Sequence, residues 1–288
     1  HPKGGFFSSV DADSSGEEGA FYAWRREELK KILTEDQYLL IETLYGVDKP
    51  ANFENKWIFY RNDSWRSVVD RLQLEPNAAR GSLSLSKDIL FKERESRNAP
   101  QIDKKILTSW NALTIKGILE CAHRVNGRKD WLALASGAID FIHNHLWDGE
   151  TLYATWKDNK AKHHGYLDDY ANLLDALLMM LETVWREKDA QLAMRLANSL
   201  LDKFYDQDKG GFFFTAHDQE TLFTRPKPTM DHELPSGNGV ASSALLRIGN
   251  LMGEHRFIEA AEKTLKWASV ALERLPSEHS SLLESLQE

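Results

Sequence analysis

The sequence has one cysteine and no long apolar run, and these two shortages set the first limits on the protein. Cys121 alone cannot form an intramolecular disulfide, which fits a reducing compartment and predicts a cytoplasmic protein. No stretch of 18 or more residues is apolar throughout, so no membrane-spanning helix is expected. Cys121 itself lies within an apolar helical pattern, and we therefore expect it to be buried and unreactive.

Positive charge is also scarce. The 36 Lys and Arg residues are outnumbered by 44 Asp and Glu residues, which gives a net charge of −8. The sequence shows no Lys/Arg cluster of the kind that a phosphate backbone requires. These two observations argue against nucleic acid and against an anionic membrane as partners. The chain begins with His1 rather than methionine, so we expect its natural N-terminus to lie upstream.

What the sequence does contain is helical periodicity along most of its length. Apolar residues recur at helical spacing in three consecutive pairs of segments, each pair reading as an αα-hairpin with a short connection. The paired segments are 108–127 with 129–149, 167–187 with 189–206, and 236–254 with 255–275. The N-terminal third is less regular and predicts one clear helix within 25–46 and two shorter helices around 64–73 and 85–97.

The three hairpins form a repeat. Their starts at Trp110, Asp168 and Ser236 are 58 and 68 residues apart. A repeat of this length must stack on its neighbours to bury its apolar face. An open solenoid and an α/α toroid both satisfy this requirement, and the long aromatic connections favour the toroid. We therefore predict an all-α fold, an α/α toroid of helical hairpins, as a single domain over residues 1–288. Short β-like pieces are expected in the connections, at 4–13, 55–63, 149–159 and 210–219.

In such a toroid the inner helices run parallel, so their N-termini gather at one face of the central cavity. Carboxylates there are candidates for general acid/base catalysis. The adjacent Asp168 and Asp169 point about 100° apart on a helix, so one of them is expected to cap the helix. The candidate catalytic residues are Asp103, Asp168, Asp169 and Asp231, and the candidate ligand-binding residues near the helix starts are Trp110, Asn111, His164, Tyr166, Arg225, Ser236 and Asn238.

The acidic segment "DADSSGEEG" near the N-terminus raises a separate question. Asp11, Asp13, Ser15 and Gly16 match the first half of an EF-hand loop, but its twelfth position is Tyr22, which cannot supply the bidentate carboxylate. Three interpretations remain: a loop at the mouth of the cavity with Asp11 and Asp13 as ligand contacts, a solvated turn, or a looser cation site. Neither a zinc signature nor a phosphate-binding loop is present, and we predict no metal and no cofactor.

At these residues the chain resembles the C-terminal helical part of the thioredoxin-domain-containing, spermatogenesis-associated protein family. The resemblance rests on "GGFFSSVDADSSGEEGAFYAW", "NFENKWI", "DKKILTSWNALTI", "GYLDDYANLLDALL", "GGFFFTAHD" and "RPKPTMDHELPSGNGVASSALLR". It implies a six-hairpin toroid similar to those of glycosidases and N-acylglucosamine 2-epimerases, joined in relatives to a thioredoxin-like domain. That domain and its redox cysteines are absent from this sequence, which accounts for about four of the six hairpins. Such an arc would expose apolar faces, and dimerisation would cover them.

Two classes of function follow from these expectations. The first is a sugar hydrolase or epimerase that uses carboxylates at the cavity mouth on a small carbohydrate. The second is a non-catalytic module that binds a ligand or a protein and accompanies a thioredoxin-like domain. A purely structural solenoid for protein partners is a third and weaker interpretation.

Overall fold

The computed structural model describes residues 1–125, 128–219 and 223–288. They fall into two compact units, unit 1 (residues 1–8 and 104–288) and unit 2 (residues 9–103). None of the helices formed by these described residues is long and apolar enough to cross a membrane. The single domain over residues 1–288 stays a prediction.

Unit 2 combines short strands with four helices. Its elements are β1 (Ser9–Val10), β2 (Asp13–Ser14), β3 (Glu17–Glu18), α1 (Arg26–Ile32), α2 (Glu35–Tyr45), α3 (Trp65–Arg71), α4 (Pro76–Glu95) and β4 (Ile102–Asp103). β1 pairs antiparallel with β4, and β2 pairs antiparallel with β3. Helix α4 is longer than the predicted 85–97, because Pro76 opens it and the Glu75 carboxylate accepts a hydrogen bond from the Ala78 N–H.

The acidic segment near the N-terminus is a tight β-hairpin. Asp13 lies opposite Glu18, and Ser14 lies opposite Glu17. The two turn residues, Ser15 and Gly16, have φ values of 56° and 79°, the left-handed backbone that a two-residue type I′ turn requires. The fold here is therefore a strand pair rather than the helix-flanked loop of an EF-hand.

The prediction of a single helix within residues 25–46 is wrong, because the helix is interrupted at Leu33 and Thr34. Thr34 caps α2: its Oγ1 accepts the Gln37 N–H, and the Gln37 side chain in turn accepts the Thr34 N–H at 3.1 Å. This reciprocal pair is a capping box, which starts a new helix within an otherwise continuous apolar periodicity. Gly46, with φ of 69°, ends α2.

Unit 1 contains the three predicted hairpins. Its elements are β5 (Ile106–Leu107), α5 (Thr108–Arg124), α6 (Lys129–His145), β6 (Tyr153–Lys157), β7 (Lys160–His164), α7 (Leu167–Thr183), α8 (Glu187–Ser199) with a π-helical turn (Leu200–Phe204), α9 (Gly237–Met252), α10 (His255–Arg274), a 3₁₀ turn (Pro276–Glu278) and α11 (Ser280–Ser285). The helix end predicted at Gly127 lies outside the described residues, and α5 itself ends at Arg124.

The first helices of the hairpins pack on one another. Helix α7 lies between α5 and α9, while α6, α8 and α10 each pack on the first helix of their own hairpin. Of the 17 residues of α7, 13 are buried, because neighbours surround it on three sides. This layering of first and second helices is that of an α/α toroid, and the predicted all-α, αα-hairpin fold class is confirmed.

The connections are less strand-like than predicted. Residues 149–159 do contribute β6, which pairs with β5 and β7 in a three-stranded sheet. Residues 210–219, by contrast, make one isolated bridge, between Tyr205 and Phe212. Residues 55–63 contribute isolated bridges at Lys56 and Trp57.

Side chains from the helix starts hold these connections in place. The Asn238 Oδ1 accepts the Phe212 N–H at 2.7 Å, and its Nδ2 donates to the Phe212 and Pro228 carbonyls at 3.0 and 2.8 Å. Asn111 bonds Phe6 in the same way, accepting its N–H at 2.7 Å and donating to its carbonyl at 3.1 Å. The repeated Gly-Gly-Phe-Phe segments are thus the partners of two repeated asparagines.

Cys121 is exposed, so the prediction of a buried thiol is wrong. The buried face of α5 carries Ala112, Ile115 and Leu119 at helical spacing. Cys121 follows Leu119 by two residues, which turns its side chain about 200° away from that face.

Replacing Asn238 by alanine should destabilise the protein by about 3 kcal/mol, because the buried N–H and carbonyl of Phe212 and the Pro228 carbonyl lose their partner. Urea denaturation would measure the loss. Asn144→Ala, on an exposed position of α6, is the matched control and should change stability by less than about 0.5 kcal/mol. Equal losses of stability in the two variants would contradict a stabilising role for the Asn238 hydrogen bonds.

Candidate functional site

Asp169 ties the start of α5 to the start of α7. One carboxylate oxygen accepts the Ser109 N–H and the other accepts the Tyr166 N–H, both at 2.9 Å. These are N–H groups at helix starts, which lack partners within their own helices. Burial raises the pKa of Asp169 to about 7, although the hydrogen bonds from Tyr166 and Ser109 act in the opposite direction. Asp169 is therefore the capping residue that the sequence left unassigned.

Asp168, the neighbouring carboxyl, takes no part in this capping. It is half-buried, and it makes no hydrogen bond or ion pair with any residue that the structure describes. Its Oδ1 lies against the first turn of α9, since a Cβ at Gly237 would come within 2.3 Å of it. Burial raises the pKa of Asp168 to about 6. A carboxyl of this kind exchanges its proton near neutral pH.

Two exposed aromatic residues are held beside the aspartate pair. Trp110 follows Ser109, whose N–H bonds Asp169, and 44% of its surface is exposed. Tyr166 is 36% exposed, and its ring stacks on Phe214 with centroids 5.1 Å apart. We call Trp110, Tyr166, Asp168, Asp169 and Gly237 the helix-start cluster, since they stand where α5, α7 and α9 begin.

A shallow cavity of about 320 Å³ adjoins Tyr166. It is lined by His163, His164, Tyr166, Asp218 and Gln219. His164 packs edge-on against Tyr153, with ring centroids 5.9 Å apart. The structure thus brings His164 and Tyr166, two of the predicted ligand contacts, to one opening.

Asp231 and Ser236, two other predicted site residues of unit 1, form hydrogen bonds within the protein. The Asp231 Oδ1 accepts the Ser236 N–H at 2.8 Å and the Ser281 hydroxyl at 2.5 Å, while its Oδ2 accepts the Ser281 N–H at 2.8 Å. Burial opposes ionisation of Asp231, but these hydrogen bonds outweigh it and lower its pKa. Asp231 therefore joins the start of α9 to the start of α11, and Ser236 caps α9 through the Gly239 N–H at 3.1 Å.

Arg225 and the two asparagines are engaged in the same manner. The Arg225 guanidinium donates to the Thr215 carbonyl at 2.6 Å and lies 4.2 Å above the Phe213 ring. In Asn111 and Asn238, both the oxygen and the nitrogen of the side-chain amide form hydrogen bonds with backbone groups. These three side chains shape the connections rather than face outward with free polar groups.

The remaining predicted carboxylates lie in unit 2. Asp11 accepts the Asp13 N–H at 3.2 Å, and Asp13 is the first residue of β2. Asp103 lies in β4 opposite Ser9. Within the described ranges, no group of three or more His, Cys, Asp or Glu side chains is placed to hold a metal ion.

Sequence reasoning selected Asp168 but missed Asn172 and Asp175, two polar residues that follow it on α7. Asp168, Asn172 and Asp175 follow at helical spacing within an otherwise apolar helix, and that interruption was the available signal. Asp175 is buried and pairs with Lys116 of α5 at 2.7 Å and with Arg247 of α9 at 2.6 Å. Both amide atoms of Asn172 are buried without a hydrogen-bond partner among the described residues.

The charges around Asp175 are coupled. Burial opposes the charge on Lys116, but the carboxylate of Asp175 outweighs it and raises the pKa of Lys116. Arg247 also bonds Glu182 at 2.7 Å through its second guanidinium nitrogen. The three first helices are therefore linked by an ionic group around the buried Asp175, with one member from each helix.

Similar proteins are found by sequence but not by family model. No protein-family model matches the chain. It is 28% identical to spermatogenesis-associated protein 20 of Rattus norvegicus over 96% of this chain and 39% of that protein. The human protein of the same name is 26% identical over 96% of this chain and 40% of that protein. The chain thus spans about two fifths of the length of these curated relatives, and the similarity supports the predicted resemblance.

Solved structures with a related arrangement of helices include a mannanase and an epimerase. A GH76 α-mannanase of Bacteroides thetaiotaomicron has a TM-score of 0.48 and 13% identity, covering 60% of this chain and 48% of that chain. The cellobiose 2-epimerase of Spirochaeta thermophila has a TM-score of 0.47 and 16% identity, covering 57% of this chain and 43% of that chain.

Asp168→Asn should stabilise the protein increasingly as the pH rises. The native pKa of about 6 lies above the ordinary value of 3.8, so the native state binds more protons between these values and ionisation of Asp168 costs stability above them. We expect the variant to exceed wild type by about 1–2 kcal/mol at pH 8 and to match it near pH 3. Calorimetric melting across this range measures the difference. Asn144→Ala, which removes no titratable group, should show no such pH trend, and a trend of equal size there would contradict the assignment.

Arg247→Met should cost about 3 kcal/mol, because it leaves the buried Asp175 with Lys116 alone. The triple variant with Lys116→Met, Asp175→Leu and Arg247→Met should recover most of that loss, since no buried charge remains. Chemical denaturation compares the two. Lys266→Met removes an exposed pair with Glu262 on α10 and should change stability by less than about 0.5 kcal/mol. A triple variant less stable than Arg247→Met would contradict this account.

Proposed function

We propose that unit 1 binds a small carbohydrate at the helix-start cluster and that Asp168 carries a proton in its hydrolysis or epimerisation. The observation that supports this most directly is Asp168 itself. It is a half-buried carboxyl without a partner among the described residues, and its pKa is raised to about 6. A general acid or base works best when its pKa lies close to the operating pH.

The surroundings of Asp168 suit a sugar. Trp110 and Tyr166 offer exposed aromatic faces on which the C–H face of a pyranose can stack. Carboxylate oxygens accept hydrogen bonds from the hydroxyl groups of the same ring. The resemblance to the spermatogenesis-associated family implies a toroid of the glycosidase and 2-epimerase kind, which agrees with this ligand class.

The two reactions place different demands on the cluster. Hydrolysis requires a second carboxyl roughly 5–10 Å from the first. In unit 1 the other candidates, Asp169 and Asp231, already accept hydrogen bonds from backbone N–H groups at helix starts. Either of them would have to serve as the second catalytic carboxyl while keeping those bonds. Epimerisation requires a proton to be removed from and returned to one carbon, and Asp168 supplies one of the two groups that do this.

A thermal-shift screen with neutral sugars, amino sugars and uronic acids tests the proposal. One sugar class at about 100 times its dissociation constant should stabilise the chain by roughly 2.7 kcal/mol, a shift of several degrees. The shift should vanish in Asp168→Asn and persist in Asp202→Asn. Absence of any shift, in a chain that melts cooperatively, would reject the carbohydrate site.

The alternative function is a non-catalytic module that binds a ligand or a protein beside a thioredoxin-like domain. This alternative is favoured because four of the polar residues at the helix starts already accept hydrogen bonds from backbone N–H groups. They are Asp169, Asp231, Asn111 and Asn238. A purified chain that binds a sugar but neither cleaves nor epimerises it would favour this module over the enzyme.

A further inference from the structure

Unit 2 has an open groove along one face of α4, which we call the α4 groove. It consists of two adjoining cavities of about 420 and 460 Å³ that share Tyr45 and Lys87. The α4 residues that line it follow a helical spacing: Arg80, Leu83, Ser84, Lys87, Asp88, Leu90, Phe91 and Arg94. At 1.5 Å per residue, the groove follows the helix for about 21 Å.

The rim of the groove is positive. Arg80, Lys87 and Arg94 are spaced seven residues apart, so two helical turns separate each from the next on one side of α4. Arg94 pairs with Glu95 at 3.0 Å, whereas exposed Lys87 forms no hydrogen bond or ion pair with any described residue. Arg61 adds a fourth cation, and one acidic residue, Asp88, also lines the groove.

The floor of the groove is apolar and rigid. The rings of Trp24, Phe59 and Tyr45 lie nearly parallel, with centroids 6.0 and 5.0 Å apart along the stack. Leu83 and Leu90 of α4 lie alongside them. A stacked aromatic floor loses little conformational freedom when it is covered, which favours binding.

Length, floor and rim together point to one kind of occupant. A groove of about 21 Å is longer than a single sugar or nucleotide needs, and its aliphatic and aromatic floor offers few polar groups to either. An amphipathic helix matches it, because such a helix buries an apolar stripe and carries its charges along the edge of that stripe. We propose that the α4 groove binds an acidic amphipathic helix of a partner protein, with carboxylates seven residues apart facing Arg80, Lys87 and Arg94.

Fluorescence anisotropy with a synthetic peptide tests this proposal on the whole chain. The probe is a fluorescein-labelled helix with glutamates seven residues apart and leucines three and four residues after each glutamate. The control peptide has lysine in place of every glutamate. We expect saturable binding of the acidic peptide that weakens with added salt, and no binding of the lysine peptide.

Charge-reversal variants locate the binding. Lys87→Glu should weaken binding of the acidic peptide by about tenfold, and Lys87→Ala by less. Lys92→Glu is the matched control, because Lys92 is exposed on α4 but lies five residues after Lys87 and therefore on another side of the helix. Unchanged melting temperatures would show that all three variants fold.

Three outcomes would overturn the proposal. They are equal binding of the two peptides, an equal loss in Lys92→Glu, and binding of an oligonucleotide or a sulfated oligosaccharide without binding of the acidic peptide. The last outcome would assign the groove to a polyanion. Because the groove lies wholly in unit 2, Asp168→Asn should bind the peptide as wild type does, so the result is independent of the carbohydrate site.

Discussion

The buried carboxylate of Asp175 is the point on which the arrangement of unit 1 depends. It is held by Lys116 of α5 and Arg247 of α9, and each of the three residues lies eight to ten residues from the start of its helix. A charge buried to this depth costs several kcal/mol unless opposite charges meet it. With Asp175 charged, the first helices can therefore pack well only when these three residues lie at one level. The fixed rise of a helix then brings the three N-termini together at one end.

That end of unit 1 carries an excess of polar side chains, and most of them are used by the backbone. Helix starts expose N–H groups that need acceptors, and the connections between hairpins have few strand partners of their own. Asp169, Asp231, Asn111 and Asn238 meet these needs. Asp168 stands beside them but bonds no residue that the structure describes, which is why the proposed proton transfer is assigned to its carboxyl rather than to any of the others.

The two units have opposite chemical character at their open surfaces. Unit 1 carries, at its helix starts, a half-buried carboxyl without a described partner and two exposed aromatic residues. Unit 2 presents cations along an aromatic and aliphatic groove. The net charge of −8 conceals the second surface, because Arg80, Lys87 and Arg94 form no cluster along the sequence and come together only through the period of α4. An excess of one sign of charge in the chain therefore says little about an individual surface.

Several features followed from local residues alone. The three αα-hairpins and the paired Gly-Gly-Phe-Phe segments could be predicted because helical periodicity and repeats are written along the chain. The break between α1 and α2 was also local, in the Thr34–Gln37 capping box, but a continuous apolar period concealed it. The exposure of Cys121 was missed because an apolar sequence pattern gives the faces of a helix without saying which one meets a neighbour.

The roles of the polar residues were decided by tertiary structure. Sequence alone selected Asp168 and Asp169 together with Asp231 as equal candidates, since all three stand near predicted helix starts. Which carboxyl accepts a distant backbone N–H depends on the packing of α5 against α7 and of α11 against α9. Ser109 of α5 is 60 residues away from Asp169, and Ser281 of α11 is 50 residues away from Asp231. Hydrogen bonds over such separations leave no periodic trace. The sequence by itself thus determined the helices and their repeat, and only their packing separated the carboxyls that hold the fold from Asp168, which has no partner among the described residues.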